Sequence, residues 1–318
     1  MAKRYNDFNG YLKRAFGCRV QKLTIDVGFS CPNRDGTLSS LGCLFCDGRG
    51  SGSGAHQQGL SVSAQIAQGK ARLGKRYHAR KFMAYFQAFT NTYAEVPVLR
   101  KRYDEAVSDP DVVGLAIGTR PDCVDEKKLD LIESYARTHM VWIEYGLQSM
   151  HDRTLTDMNR GHTFKDFVRA VEMTRGHGIL VCAHVIIGLP GESKNDVVQT
   201  ADALAALEID GVKIHSLYIQ DDTPLAERYR SGKVPLLDRD TYVDWVVAFL
   251  EHLPQRTVIQ RLTGDPHRDL LVAPAWTLDK YETLKRIDTA LERLGTAQGA
   301  MVRGRPNPPP KKRRSNCF

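Results

Sequence analysis

The chain has 318 residues, 42% hydrophobic and 26% charged, with a formal net charge of +8. That length accommodates one large domain or two small ones and a sizeable core. No apolar run approaches the ~18 residues of a membrane span, and Met-Ala-Lys-Arg-Tyr-Asn lacks the apolar stretch of a secretory signal. We therefore expect a cytoplasmic protein with no membrane partner, whose seven cysteines are reduced thiols or ligands.

The charge is unevenly spread. Six of the eight net charges sit in residues 301–318, on Arg303, Arg305, Lys311, Lys312, Arg313 and Arg314, around Pro308-Pro-Pro310, which predicts a disordered basic tail. Between Asp47 and Glu95 there is no acid, while Arg49, Lys70, Arg72, Lys75, Arg76, Arg80 and Lys81 are basic. This is either a solvated helix face or a phosphate-binding surface.

After an N-terminal arm over residues 1–21, Lys22–Gly28 reads as a strand. A cysteine-bearing loop follows, then a helix over Val62–Leu73, a strand over Phe82–Phe89 and a helix starting near Pro97. Val112–Ile117 is a strand, Glu126–Arg137 a helix, Val141–Tyr145 a strand, and Phe164–Arg175 a helix stopped by Gly176-His-Gly178. Ile179–Ile187 is the longest apolar run, as a buried parallel strand requires. Ser193–Leu207 is a helix with Ser193 as its cap, and Val212–Tyr218 is the sixth strand. Helices over Asp238–His252 and Lys280–Leu294, with a short strand candidate at Val258–Gln260, complete residues 221–300 as an extension packed on the core. Six βα steps imply an α/β fold with a parallel sheet. A doubly wound sheet and a closed or partial barrel share this pattern, and in each the functional groups gather at the C-terminal ends of the strands.

Cys31, Cys43 and Cys46 follow the first strand in one Gly- and Ser-containing loop. A Cys-x2-Cys pair brings two thiolates to one centre, and the loop lets a third join them. Structural zinc would want a fourth ligand, for which His56 is the nearest candidate, and a redox Cys-x2-Cys would not need Cys31. An iron–sulfur cluster with one open iron uses all three.

Further motifs make the pattern specific: Cys31-Pro-Asn-Arg-Asp-Gly…Cys43-Leu-Phe-Cys46, Thr119-Arg-Pro-Asp122, Glu144-Tyr-Gly-Leu-Gln-Ser149, Asn159-Arg-Gly-His-Thr163 and His184-Val-Ile-Ile-Gly-Leu-Pro-Gly-Glu192. In these the chain resembles the radical S-adenosylmethionine (SAM) superfamily, within it the group related to the catalytic subunit of Elongator, and most the short bacterial branch without an acetyltransferase domain. Arg261-Leu-Thr-Gly-Asp265 and Ala273-Pro-Ala-Trp276 are similar to that branch alone. The resemblance implies a partial (β/α)6 TIM-like barrel over residues 22–220, with a [4Fe–4S] cluster on Cys31, Cys43 and Cys46 and SAM on the open iron. Phe45 would shield the cluster, pack near adenine or serve only the core, and Gln148 and Arg160 match positions that contact SAM, Arg160 through a carboxylate fork.

Glu144 would reach the ribose or else pair with a barrel arginine. His184 stands where many relatives have an acid, and Cys182 shares its strand parity. The family's Gly-rich second-strand motif is replaced by Tyr85-Phe-Gln-Ala-Phe-Thr-Asn91, leaving Gln87 and Thr90 as candidates for the SAM amino group. Arg120 and Asp122 are candidate substrate contacts or a mutual ion pair, and Cys18, Cys123 and Cys317 appear scattered. The implied activity is modification of the tRNA wobble uridine, of the 5-carboxymethylaminomethyl to 5-aminomethyl type, with a flavodoxin or ferredoxin as electron donor. The alternatives are radical chemistry on a small metabolite or another macromolecule, and a zinc-stabilised nucleic-acid-binding module without catalysis.

Overall fold

In the computed structural model the alternation of apolar runs and amphipathic helices becomes one parallel sheet wrapped by helices. The structure describes residues 3–48, 50 and 55–302. Arg49, the Gly-Ser loop at 51–54 and the expected basic tail from Arg303, with Cys317, lie outside the described residues.

Helix α1 (Phe8–Phe16) starts at an Asp7 cap and ends at Gly17, whose φ of 68° suits glycine. The arm expected over residues 1–21 thus holds a helix. Strand β1 (Val20–Ile25) leads through the cysteine loop to α2 (Val62–Tyr77), and β2 (Lys81–Phe86) to α3 (Val96–Val107). Strand β3 (Val112–Thr119) precedes α4 (Glu126–Ala136). Strand β4 (Met140–Gln148) precedes the short α5 (Asp152–Asp157) and α6 (Phe164–Thr174). Strand β5 (Leu180–Ile187), α7 (Lys194–Ala206) and β6 (Gly211–Ser216) follow. Ser193 and Asp196 form a reciprocal capping box on α7, as the Ser193 cap led us to expect. The chain then adds β7 (Ile219–Gln220), α8 (Pro224–Arg230), α9 (Arg239–Glu251), β8 (Val258–Leu262), β9 (Leu271–Ala273) and α10 (Lys280–Arg293).

Seven parallel strands stand in the order β1-β2-β3-β4-β5-β6-β8, while β7 and β9 form a separate antiparallel pair. The fold is a partial TIM-like barrel with one parallel strand more than six. The seventh, β8, comes from the C-terminal extension and pairs with β6. The sheet curls until its edges approach, for Lys22 on β1 donates to Gln260 on β8 at 2.6 Å. Helix α1 plugs the N-terminal end of the strands. Its Phe8 and Tyr11 rings meet Trp142 edge-on at 5.9 Å between centroids, with Leu12 beside them. Outward-facing apolar residues such as Leu23, Phe86, Ile117 and Ile143 bury against the helices. No helix among the described residues is long and apolar enough to cross a membrane.

One sequence expectation about charge changes with this topology. Strands point from the α1 plug to the cysteine loop, so α2 descends from the mouth to the closed end before β2 begins at Lys81. The exposed Arg72, Lys75, Arg76 and Arg80 therefore lie at the end away from the cysteines. Lys70 is neutralised by Asp109 at 2.8 Å and Asp111 at 2.6 Å. Adjacency in sequence to the cysteine loop is not adjacency in space.

Candidate active site

The cysteine loop closes on itself through main-chain bonds. Arg34 and Asp35 N–H donate to Cys31 O, Gly42 N–H to Asn33 O at 2.7 Å, and Cys46 N–H to Cys43 O at 3.0 Å. The Arg34 guanidinium pins the far limb by donating to the Cys46 and Asp47 carbonyls at 2.7 and 2.6 Å. Leu44 accepts the Leu225 N–H and donates to Met158 O, anchoring the loop between β4's following turn and α8. Cys31 and Cys43 are buried and Cys46 half-buried.

Burial, then the neighbouring Cys43 thiol, push Cys46 up to about 12 against the opposing pull of Arg34. A thiolate is favourable here only when a metal takes the proton's place. Among the described residues the set of three potential ligands with donor atoms within 4.8 Å of one another is Asp130, Glu133 and His177 at the surface. His56, the candidate fourth zinc ligand, instead packs over Gly28, where an added Cβ would sit 2.2 Å from its ring.

Arg160 ties this loop to the sheet. Its guanidinium donates to Cys43 Sγ at 3.1 Å and to Gly146 O at 2.6 Å, leaving a buried Nε without a partner. Asn33 Nδ2 also reaches Cys43 Sγ, at 3.5 Å, while donating to Asn159 O at 2.6 Å. The Asn159-Arg-Gly-His motif is thus a second wall of the cysteine site. Gly161, at φ 66°, passes so close that a Cβ would meet Asn33 Oδ1 at 2.9 Å. Gln148 ends β4 at a register shift against β5, at φ 76°, a strained setting for a residue with a Cβ. Its amide and Arg160 flank Gly146 together. Ser149 donates to Glu192, joining the β4 end to the Gly-Leu-Pro-Gly-Glu turn.

Arg120 and Asp122 hold one another in a two-pronged pair at 2.9 and 2.7 Å, and Arg120 also donates to Arg160 O at 2.6 Å. Buried and held by these three bonds, Arg120 is a brace for Arg160, and the mutual ion pair of the sequence reading is present. Phe45 packs with Leu44, Met158, Ile186 and Leu217 on one side of the loop. At the β2 end, Asn91 donates to Phe86, Ala88 and Gly118 carbonyls, which bends the chain out of the strand before Phe89. Gln87 N–H donates to Ile25 O, and Thr90 Oγ1 is buried without a hydrogen-bond partner. Cys123 lies beside the Arg120–Asp122 pair, its Sγ 3.9 Å from Asp122 Oδ1.

Below the mouth, Glu144 is fully buried. Its partners are lysines and a histidine, in place of the expected arginine. Lys22 bonds Oε1, Lys213 donates to Oε2 at 2.9 Å, and His184 Nε2 sits 2.8 Å from Oε2. The cations outweigh burial and hold Glu144 well below the usual carboxylate range. Burial, then Lys213, lower His184 to about 4, so it is neutral at pH 7. Cys182 faces inward beside it, as parity predicts, in the cluster with Trp142 and Tyr85. Sequence reasoning missed Asn33, Gly161, Lys22 and Lys213. The available signal for Lys213 was a lysine between Val212 and Ile214, both apolar and outward-facing.

The model described as the Radical SAM superfamily matches residues 36–204, starting beyond Cys31, and a Radical_SAM C-terminal domain matches residues 209–293. The chain is similar to the uncharacterized protein YtqA of Bacillus subtilis, at 41% identity over 93% of this chain and 92% of that one. It is also similar to Elongator complex protein 3 of Schizosaccharomyces pombe, at 29% identity over 51% of this chain and 31% of that longer one. The archaeal Elp3 of Methanocaldococcus infernus shares the fold with a TM-score of 0.68, at 17% identity, over 88% of this chain and 64% of that one.

Proposed function

This chain belongs to the radical SAM superfamily, which uses a [4Fe–4S] cluster and SAM, and from that premise we propose that it modifies the wobble uridine of tRNA. The reaction is the conversion of a 5-carboxymethylaminomethyl side chain towards 5-aminomethyl, in the cytoplasm, with a flavodoxin or ferredoxin as one-electron donor. The observation that carries the reading is the loop of Cys31, Cys43 and Cys46 at the strands' C-terminal ends, closed by its own main-chain bonds and braced by Arg160 on the Cys43 sulfur. The similarity to the Elongator group supports the tRNA assignment.

In this reading Cys31, Cys43 and Cys46 hold the cluster, and Arg160 and Gln148 face SAM. When bound, the two cofactors supply reductive opening of the sulfonium and abstraction of a substrate hydrogen atom. The chain's own residues perform the remaining tasks. Arg160 lends positive charge to the Cys43 sulfur, and the Arg120–Asp122 pair keeps Arg160 in place. Phe45 and its apolar neighbours exclude water from one flank of the loop.

A small anionic metabolite is a second reading. It gains from the position of the α2 basic residues, which stand at the closed end of the barrel and so lend no support to RNA at the mouth. Two measurements decide between them. Anaerobic reconstitution should give labile sulfide and reductant-dependent 5′-deoxyadenosine, and a colourless zinc protein would end the radical reading. Nucleoside mass spectrometry of tRNA from a strain lacking the gene should show the unconverted wobble side chain, and an unchanged profile would end the tRNA assignment.

A further inference from the structure

The charged group inside the barrel is unbalanced. Among the described residues Glu144 is the one carboxylate paired with Lys22 or with Lys213. Arg261 adds a third cation, whose carboxylate partner Asp265 lies 3.9 Å away at the exposed rim and is shared with Lys280. Donors are in excess as well. Lys22, a pure donor, fixes the Gln260 amide by bonding its Oε1, and this leaves the buried Nε2 with no acceptor. His215 Nε2 is buried and unpartnered too, with its ring 5.5 Å from that of His184. A buried donor without an acceptor, as Gln260 Nε2 is here, costs about 1–3 kcal/mol.

The place of these groups matters. Lys213 is in the middle of β6, and His215 lies one pleat nearer the mouth. Arg261 stands opposite Lys213 in the β6–β8 register. Lys213, Arg261 and His215 thus form one donor-bearing wall on β6 and β8.

We propose that this wall is an anion pocket, in which Lys213, Arg261, His215 and the free end of the Gln260 amide hold a carboxylate on the substrate. The proposal rests on the reading of the barrel mouth as the reaction site, and it narrows the substrate to one ending in a carboxylate. Backbone phosphates of a polynucleotide would stay at the mouth, whereas a side chain on the reacting base can descend.

Ionisation gives the pocket a pH dependence. Burial, opposed by Glu144 and helped by Lys22 and Arg261, lowers Lys213 to about 7. His184 and His215 are held below their usual range, and burial and Glu144 push Tyr85 and Cys182 up, so all four are neutral at pH 7. An arriving anion returns the proton to Lys213. Binding is then strongest below pH 7 and weakens by up to about tenfold per pH unit above it.

The test uses the anaerobically reconstituted full chain, with N-acetylglycinate as probe and the neutral N-acetylglycinamide as control, read by thermal melting. N-acetylglycinate should raise Tm saturably and the amide should not. Half-saturation should rise at least about tenfold between pH 6.5 and 8.5. Lys213→Met and Arg261→Gln should each weaken it at least about tenfold, whereas Lys194→Met, a surface lysine paired with Asp244, should bind as the parent does. Equal effects of both probes, an unaltered response in the two pocket variants, or no response of the parent would overturn the pocket. Saturable binding in a protein that leaves wobble uridine untouched would support the pocket and remove the tRNA reading; conversion of tRNA without probe binding would do the reverse.

Discussion

Replacing Glu144 by Gln removes the one negative charge that Lys22 and Lys213 share. Breaking a buried pair costs about 3–5 kcal/mol. The low end applies at pH 8, because Lys213, lowered to about 7, is then mostly neutral and only the Lys22 pair is lost. Below pH 7 the parent protonates Lys213 in the folded state, while the variant, lacking the carboxylate, does not. The unfolded chains bind that proton equally, so the variant alone loses stability, by about 1.4 kcal/mol per pH unit. The cost should therefore grow from about 3 kcal/mol at pH 8 to about 5 kcal/mol at pH 5.5. Urea unfolding of the metal-free chains across this range measures it. The double variant Glu144→Gln/Lys213→Met should recover stability at acidic pH and lose the slope. A difference below about 1 kcal/mol, or one independent of pH, would refute the coupling.

Three further outcomes follow from the mouth. Arg160→Gln removes charged bonds to Cys43 Sγ and Gly146 O, and should weaken SAM about tenfold or more in titration calorimetry while iron analysis still finds the cluster. Gly161→Ala incurs about 1–2 kcal/mol for its left-handed φ and displaces Asn33 from Cys43, so Tm and iron content should fall together. Gln148→Gly relieves left-handed strain worth about 1 kcal/mol, so Tm should hold or rise while SAM affinity drops. A lower Tm with unchanged affinity would show that Gln148 acts only in packing.

The ordered motifs made the barrel legible, since three of them lie where a strand ends: Thr119 on β3, Gln148 on β4 and Ile187 on β5. The seventh strand was nearly hidden because Val258-Ile-Gln-Arg-Leu262 has two polar residues at its centre. Those two residues face the interior network, so what weakened the strand signal was its functional content. Helix α1 was missed for a different reason. Nine residues are too few for a strong period, and its place is set by tertiary contact with Trp142, which no local pattern encodes.

The same contrast explains how the barrel can hold charge at all. Its closed end is apolar, where Phe8, Tyr11 and Leu12 press on Trp142 and Met140, and ionised groups there would lose hydration without return. One pleat higher, at Glu144, each oxygen already has a cation, so burial is compensated. Beside this pair, Gln260 Nε2 is left without an acceptor and Arg261 stands opposite Lys213 on the neighbouring strand. The polarity thus changes along the barrel axis from an apolar closed end to a charged middle, and it is in that middle that the proposed anion pocket would have its cations already in place.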